Sequence, residues 1–301
     1  MECNPLVFVR GAIVVTLAIA SVACGSSTPN GGAGAASTTI PTRATVEHRL
    51  EYRLASDPNH ALCERLTALL SSGDSGAVRP LFDFPAFVER VIAIGHLPAD
   101  VAAQLRASPS GPANFGRYFQ PSNSQSRCLG TRPMLGDAHI AIRQWTPTRW
   151  DYVLFHLTNN AEHPIDDYQV VSAGYYHSEG QHASFDPQLR APMEVVGRML
   201  QQSYDNDFAG IITAYRSLPQ PLQESPIAFF HFVNAVFTSE PTGSPLYTET
   251  AARIETVWHG RDYAVAYWQL IDGRRRGDSA MEQRARDRLV ELLDDYELLG
   301  S

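Results

Sequence analysis

The chain has 301 residues, 24 basic against 32 acidic groups for a formal net charge of −8, and 44% hydrophobic residues. That hydrophobic fraction is globular and excludes wholesale disorder, the acidic balance argues against an electrostatic nucleic-acid binder, and four Cys are too few for a disulfide-rich miniature. All 24 basic residues are Arg, so Schiff-base, phosphate-loop and kinase-type lysine chemistry is excluded with the missing amine.

Met1–Arg10 is a short polar start with one positive charge, and Gly11–Ala23 is an uncharged apolar run of 13 residues. This is signal-peptide length, short of the roughly 20 residues that span a bilayer. The run ends in Ser21-Val22-Ala23-Cys24-Gly25, which resembles the bacterial lipoprotein signal, with Ser21 where that family usually has Leu. The resemblance implies that Cys24 is lipidated, becomes the mature N-terminus and anchors the chain to a bacterial membrane, facing periplasm or exterior. An ordinary cleaved signal and an uncleaved anchor are the other readings of the segment. Residues 25–44 are small and polar with no periodic apolar face, which predicts a flexible tether after the 1–24 signal. Without residues 1–44 the chain carries 22 Arg against 31 acids. Its attraction to an anionic bilayer is then weak, and lipid must do the anchoring. In an export pathway Cys63 and Cys128 remain as two thiols, either bridged or buried as small hydrophobes.

Helical spacing then runs through Val46–Leu54, Leu62–Leu70 and Phe82–Ile94, where Phe84, Phe87, Val88, Val91 and Ile92 share a face. Pro98 opens a helix over Ala99–Arg106. Ser108–Ser126 reads as a loop with at most a short helix around Phe115–Phe119. From residue 127 the period changes. Cys128–Arg132, Ala138–Gln144, Trp150–Leu157 and Tyr168–His177 read as four strands of an antiparallel meander, with Asp137, Thr146-Pro147-Thr148 and Asn159–Pro164 as turns. Helices followed by such a sheet predict an α+β domain over 45–188, with helices packed on one side.

Residues 189–301 return to helix, with candidates Pro192–Ser203, Phe208–Leu218, Ser225–Thr238, Leu246–His259, Tyr263–Arg274 and Ser279–Leu298. Short loops predict an all-α unit of helical hairpins. Asp207-Phe208-Ala209 and Asp262-Tyr263-Ala264 each place an acid and an aromatic-Ala pair at the start of an amphipathic helix. That resembles the second helix of a tetratricopeptide-like repeat, at an irregular 55-residue spacing. Leu81–Arg90, the strand Trp150–Phe155 and the acid-rich Asp166–Val171, followed by such helices, resemble a bacterial architecture. In it a nuclear-transport-factor-two-like or cystatin-like α+β domain precedes degenerate tetratricopeptide-like helices. The resemblance implies N-terminal helices on a curved four-stranded antiparallel sheet, then the helical unit, and no active-site residue.

Chemical lookalikes have simpler readings. Gly73-Asp74-Ser75-Gly76 spells a protease nucleophile loop, but no His-containing motif accompanies it, and a helix-ending turn accounts for it. Arg276-Gly277-Asp278 reads as an interhelical turn with Asp278 as cap, and Arg274–Arg276 as cations at a helix C-terminus with a weak membrane option. His156, His163, His177 and His182 lie near the strands with Asp166 and Asp167, without metal-site spacing. In the resembled fold the sheet and its helices form a cone that can hold a small apolar ligand. Trp150, Tyr152, Phe155, His156, Tyr168, Tyr175 and Tyr176 are its candidate lining, with an acid–base pair of His156 with Asp151 or Asp167, and ordinary core packing as the alternative. No cofactor, metal or catalytic motif is indicated. The chain reads as a non-enzymatic, membrane-anchored scaffold with a protein partner on residues 190–301, the alternative being a small-ligand binder or enzyme using the cone.

Overall fold

The structure is a computed structural model that describes residues 43–72, 75–95, 97–107, 124–146, 149–295 and 298. The expected signal, the tether as far as residue 42, the lipid site at Cys24, the Phe115–Phe119 helix and Gly73-Asp74 lie outside the described residues, and Arg43 and Ala44, expected to end the tether, begin the first helix.

Helices α1 (Arg43–Ser56) and α2 (His60–Ser72) open the chain, and α2 buries Cys63, Leu66 and Leu70 at helical spacing. A 3₁₀ segment, Ser75–Leu81, leads into α3 (Phe84–Ala93). The Asp83 carboxylate accepts the Ala86 N–H at 3.0 Å and Pro85 occupies the first turn, so α3 starts where its cap dictates. Its buried stripe is Phe87, Val88 and Val91. Helix α4 (Ala99–Ala107) follows Pro98.

The chain then forms β1 (Gln125–Met134), β2 (Asp137–Thr146), β3 (Arg149–Leu157), β4 (Ile165–Val170) and β5 (Tyr175–Tyr176). They pair antiparallel in chain order. Leu135 and Gly136, both at positive φ, make the two-residue turn between β1 and β2. The sheet has five strands where four are expected. The segment 168–177, read as one strand, breaks at Gly174 (φ +67°), and Tyr175-Tyr176 folds back onto Val170 and Gln169. Helix α5 (His177–Phe185) begins at once, its Glu179 carboxylate accepting the Tyr176 N–H at 2.6 Å.

The outer edge of β1 is closed by the α1–α2 turn. Leu129 C=O accepts from Arg53 and from Arg132, and Asp57 accepts the Thr131 N–H. The Cys63–Cys128 disulfide, with Cα atoms 5.7 Å apart, joins α2 to the same strand.

Both faces of the sheet are covered. Cys128, Ile140, Ile142, Val153, Phe155 and Tyr168 pack with Leu66, Leu70, Phe82, Phe87 and Val91 of the N-terminal helices. Leu129, Ala141, Tyr152 and Leu154 face the other way, into a cluster with the C-terminal helices. The expectation of helices on one side is therefore corrected. Tyr152, Val153, Leu154 and Phe155 are all at most 2% exposed, and a strand apolar on both faces needs cover on both.

That cover is α6 (Arg190–Tyr204), α7 (Phe208–Arg216), α8 (Gln220–Gln223), α9 (Pro226–Ser239), α10 (Pro245–Ala252), α11 (Ile254–Val257), α12 (Asp262–Arg276) and α13 (Ser279–Leu293). The single helix expected over Leu246–His259 divides at Arg253. Asp207, Ser225, Ser244 and Asp278 cap α7, α9, α10 and α13. Helix α9 buries three Phe and two Val, among others, in the centre of this layer. Trp258 and Trp268 donate their indole N–H groups to Ala173 and Ser172 carbonyls at 3.1 and 2.7 Å, fixing the layer to the β4–β5 turn. At the far end of α13, Asp295 accepts the Tyr152 hydroxyl at 2.8 Å and pairs with Arg143 at 3.2 Å, while Asp294 pairs with Arg53 and Arg132. The boundary expected near residue 188 lies between α5 and α6, and the hydrophobic cluster beyond it includes the sheet face. No helix among the described residues is long and apolar enough to cross a membrane.

Candidate functional site

Strand register creates a polar row at one end of the sheet. His139 pairs with His156, and His156 with Asp167, so one face carries all three across β2, β3 and β4. A register shift after His156 brings Asp166 round as well, and its carboxylate bonds His156 Nδ1. From β5, the Tyr176 hydroxyl reaches His139 Nε2 at 2.7 Å. Arg90 of α3 enters from the side, 3.4 Å from Asp167, 3.7 Å from Asp166 and 3.3 Å from His156 Nε2, with its guanidinium 5.4 Å above the Tyr176 ring. The Asp137 carboxylate stands 3.3 Å from His156 Nε2. His139 and Asp167 are fully buried, while the Asp137 side chain is 56% exposed, so the cluster runs from solvent into the core.

Electrostatics follows from that burial. His139 Nδ1 lies 3.2 Å from the Asp137 carbonyl, which makes Nδ1 the donor and leaves Nε2 to accept the Tyr176 O–H. Burial pushes His139 down to about 4, and the neighbouring His156 pushes the same way. Burial pushes Asp167 up to about 6, against hydrogen bonds from Ser178, the charge of Arg90 and the Tyr168 N–H. Tyr176 is pushed well up, chiefly by burial, so its hydroxyl stays a donor. Deeper in, Tyr263 donates to Gln169 Oε1 at 2.7 Å, and Glu179 pairs with Arg261 at 2.5 Å. Gln169 Nε2 is buried with no partner among the described residues. The arrangement can hold, exchange and redistribute protons among buried groups. Among the described residues no group of three His, Cys, Asp or Glu is arranged to hold a metal.

The residues expected to line one pocket divide between two cores. Trp150 and Tyr152 face the C-terminal layer, Trp150 with its ring 4.9 Å from Tyr267. Phe155 and Tyr168 face the N-terminal layer, Tyr168 with its ring 6.2 Å from Phe82. Tyr175 is half-buried on β5. His156 alone of those six joins the polar cluster, with Tyr176 beside it. Its bonded acid is Asp166, with Asp167 near through Arg90. Asp151 lies elsewhere, accepting the Ser172 N–H at 3.2 Å.

Sequence reading missed Arg90, Asp137 and His139. The available signal was geometric: a two-residue turn at Leu135-Gly136 fixes the β1–β2 register and puts His139 on the face of Ala141. Nothing in spacing could add Arg90. The Arg276-Gly277-Asp278 lookalike resolves as structure. Gly277 (φ +68°) ends α12, Asp278 accepts the Met281 N–H at 2.9 Å, and Arg275 and Arg276 lie over the Tyr247 ring. No family model matches this chain, and comparison with curated proteins and with solved structures found no match.

Proposed function

We propose that this chain is an exported lipoprotein, held at a bacterial membrane by lipid on Cys24, whose folded part is a non-enzymatic scaffold for a partner protein. The observation that supports export is the Cys63–Cys128 disulfide, a bond that persists in oxidising compartments and is rare in the cytosol. The apolar run ending at Cys24 and the small polar stretch to residue 44 supply an address and a tether for it. Packed helix pairs, α6 with α7 and α12 with α13, fit the tetratricopeptide-like resemblance, and the sheet with its N-terminal helices fits the nuclear-transport-factor-two-like or cystatin-like one.

The inner sides of α6–α13 are spent on one another and on the sheet face, so a partner must use their outer sides. Deleting 190–301 would strip the sheet and is no test. Photo-crosslinkers at the exposed Glu194 and Arg198 of α6, with exposed Asp100 of α4 as the control, test it in the whole chain. The scaffold reading expects one discrete adduct from α6 and none from α4; the same products from both sinks it. Anchoring has its own test. Cys24→Ser should move the chain out of the membrane fraction, and unchanged fractionation removes the lipid reading.

A small polar ligand at the end of the sheet is the second reading, favoured by the unpartnered amide of Gln169. Native mass spectrometry of the purified chain should then show a bound species; its absence, unaffected by Gln169→Leu, counts against this reading.

A further inference from the structure

Four of the chain's ten histidines gather at one joint. β5 pairs with just Gln169 and Val170, and Phe82 bridges Ile165, so among the described residues 166–168 have no strand beside them on that edge. α3 and α5 flank it. Asp83 N–H donates to the Ile165 carbonyl at 2.6 Å ahead of α3, and Ser178 at the start of α5 donates its N–H to the Asp167 carboxylate at 3.2 Å. Between the two helices the His177 ring stacks with Phe87 and Tyr168, at 5.5 and 4.8 Å. His182 Nδ1 lies 2.9 Å from the Val91 carbonyl, and its ring fills the space a side chain at Gly95 would need. Beneath, the His139 and His156 rings meet edge to face at 5.1 Å. All four histidines are at most 9% exposed.

We propose that α3 and α5 form an acid-released flap along the edge of β4, opened by protonation of His139 and His177 while the core under α9 and α12 stays closed. Two features of the geometry drive the opening. A proton on His139 Nε2 reverses its bond to Tyr176, whose hydroxyl must turn to accept, and sets a new cation beside His156 and Arg90. A proton on His177 puts a cation between two aromatic rings inside an apolar core. The charged and titratable groups facing the joint are Arg90 from α3, Asp137 from β2, Asp166 and Asp167 from β4 and Tyr176 from β5. Glu179 of α5, with Arg261 and Tyr263 at the start of α12, closes the ring around Tyr176. Of the two helices α5 is the weakly held one: it buries His177, Ser178, His182 and Ala183, whereas α3 buries Phe87, Val88 and Val91, with Phe87 and Val91 set into the N-terminal core, and α9 buries Phe229, Phe232, Val233, Val236 and Phe237.

The sign of the effect follows from linkage. Burial holds His177 down to about 3 and His139 to about 4, and both return toward 6.5 when the flap opens, so the open state binds more protons in acid. At pH 5 each histidine favours opening by about thirtyfold. Asp167, raised to about 6 when closed, binds its proton earlier in the closed state and opposes opening by about tenfold. The net increase from pH 7.5 to pH 5 is about a hundredfold.

Amide hydrogen exchange on the purified whole chain tests this, after correction for the intrinsic pH dependence of exchange. Peptides over 84–93 and 177–185 should open about a hundredfold more at pH 5 than at pH 7.5. Peptides over 226–239 and 262–276 should change far less. His177→Phe, which keeps the aromatic stack and removes one proton site, should cut the response to about threefold. An equal rise in all four segments, no rise in the flap, or an undiminished response in His177→Phe overturns the proposal; if that variant fails to fold, the wild-type contrast between flap and core decides.

Discussion

Replacing Gly174 by Ala should be among the most damaging single-methyl changes in this chain, and Gly277 supplies its control. The two have nearly the same backbone, φ +67° and +68°, so an L residue costs about 1 kcal/mol at either on conformation alone. Their surroundings differ. A Cβ at 174 would lie 2.3 Å from Trp258 Nε1 and 2.8 Å from the Ala264 Cβ, whereas at 277 nothing lies within 4 Å. Trp258 cannot step aside freely. It is fully buried, stacked 5.8 Å from Trp268, and donates to the Ala173 carbonyl. Relieving the clash means overpacking at about 1–3 kcal/mol, or orphaning a buried indole N–H at about 1–3 kcal/mol. Gly174→Ala should therefore lose about 2–4 kcal/mol and Gly277→Ala about 1 kcal/mol. Urea unfolding followed by tryptophan fluorescence measures both, with equal m-values licensing the comparison. Losses equal to within about 0.5 kcal/mol would refute the claim that the β4–β5 turn is held by close contact with Trp258.

Two further outcomes are expected. Replacing Cys63 and Cys128 together by Ala opens a loop whose ends are 65 residues apart, and the chain-entropy estimate for that closure is about 4 kcal/mol. A urea midpoint unchanged by the double substitution, or by reductant, would contradict it. His231 in α9 is pushed down to about 4 by burial, below its unfolded value near 6.5. The unfolded chain then binds more protons between those values, so stability is intact above pH 6.5 and falls as pH drops toward 4. Wild type should lose about 2.5 kcal/mol more than His231→Leu between pH 7.5 and 4.5, measured by urea midpoints at each pH. Parallel pH curves would show that His231 is not the titrating group.

Element type was legible wherever local chemistry and packing agreed. Asp207, Ser225 and Asp278 stand at the starts of α7, α9 and α13 because a short acceptor there satisfies the first turn's N–H groups. Trp150–Leu157 read as a strand, and its lack of a polar face was the available sign that both sides are covered. Helix α5 was not legible. His177, Ser178, His182 and Ala183 are its buried residues, and such a set gives no apolar stripe to find. The polar cluster was half legible. Asp166, Asp167 and His156 are near in sequence, but Arg90 is brought to them by the closure of α3 on β4. Long-range placement of one cation leaves no trace in local spacing.

The covering of the sheet on both faces sets an order of assembly. Ala141, Tyr152 and Leu154 find their cover in Val196, Met199, Phe229 and Leu270, which follow at least 42 residues later in the chain. A chain that emerges N-terminus first, from a ribosome or through a membrane, has its meander complete while one side of it is still bare. Until α6–α13 arrive, that side is an adhesive surface, and pairings so distant in sequence form slowly. The first half of this molecule is thus a client in waiting: it needs either a shielding chaperone or a fast-following second half to avoid sticking to its neighbours.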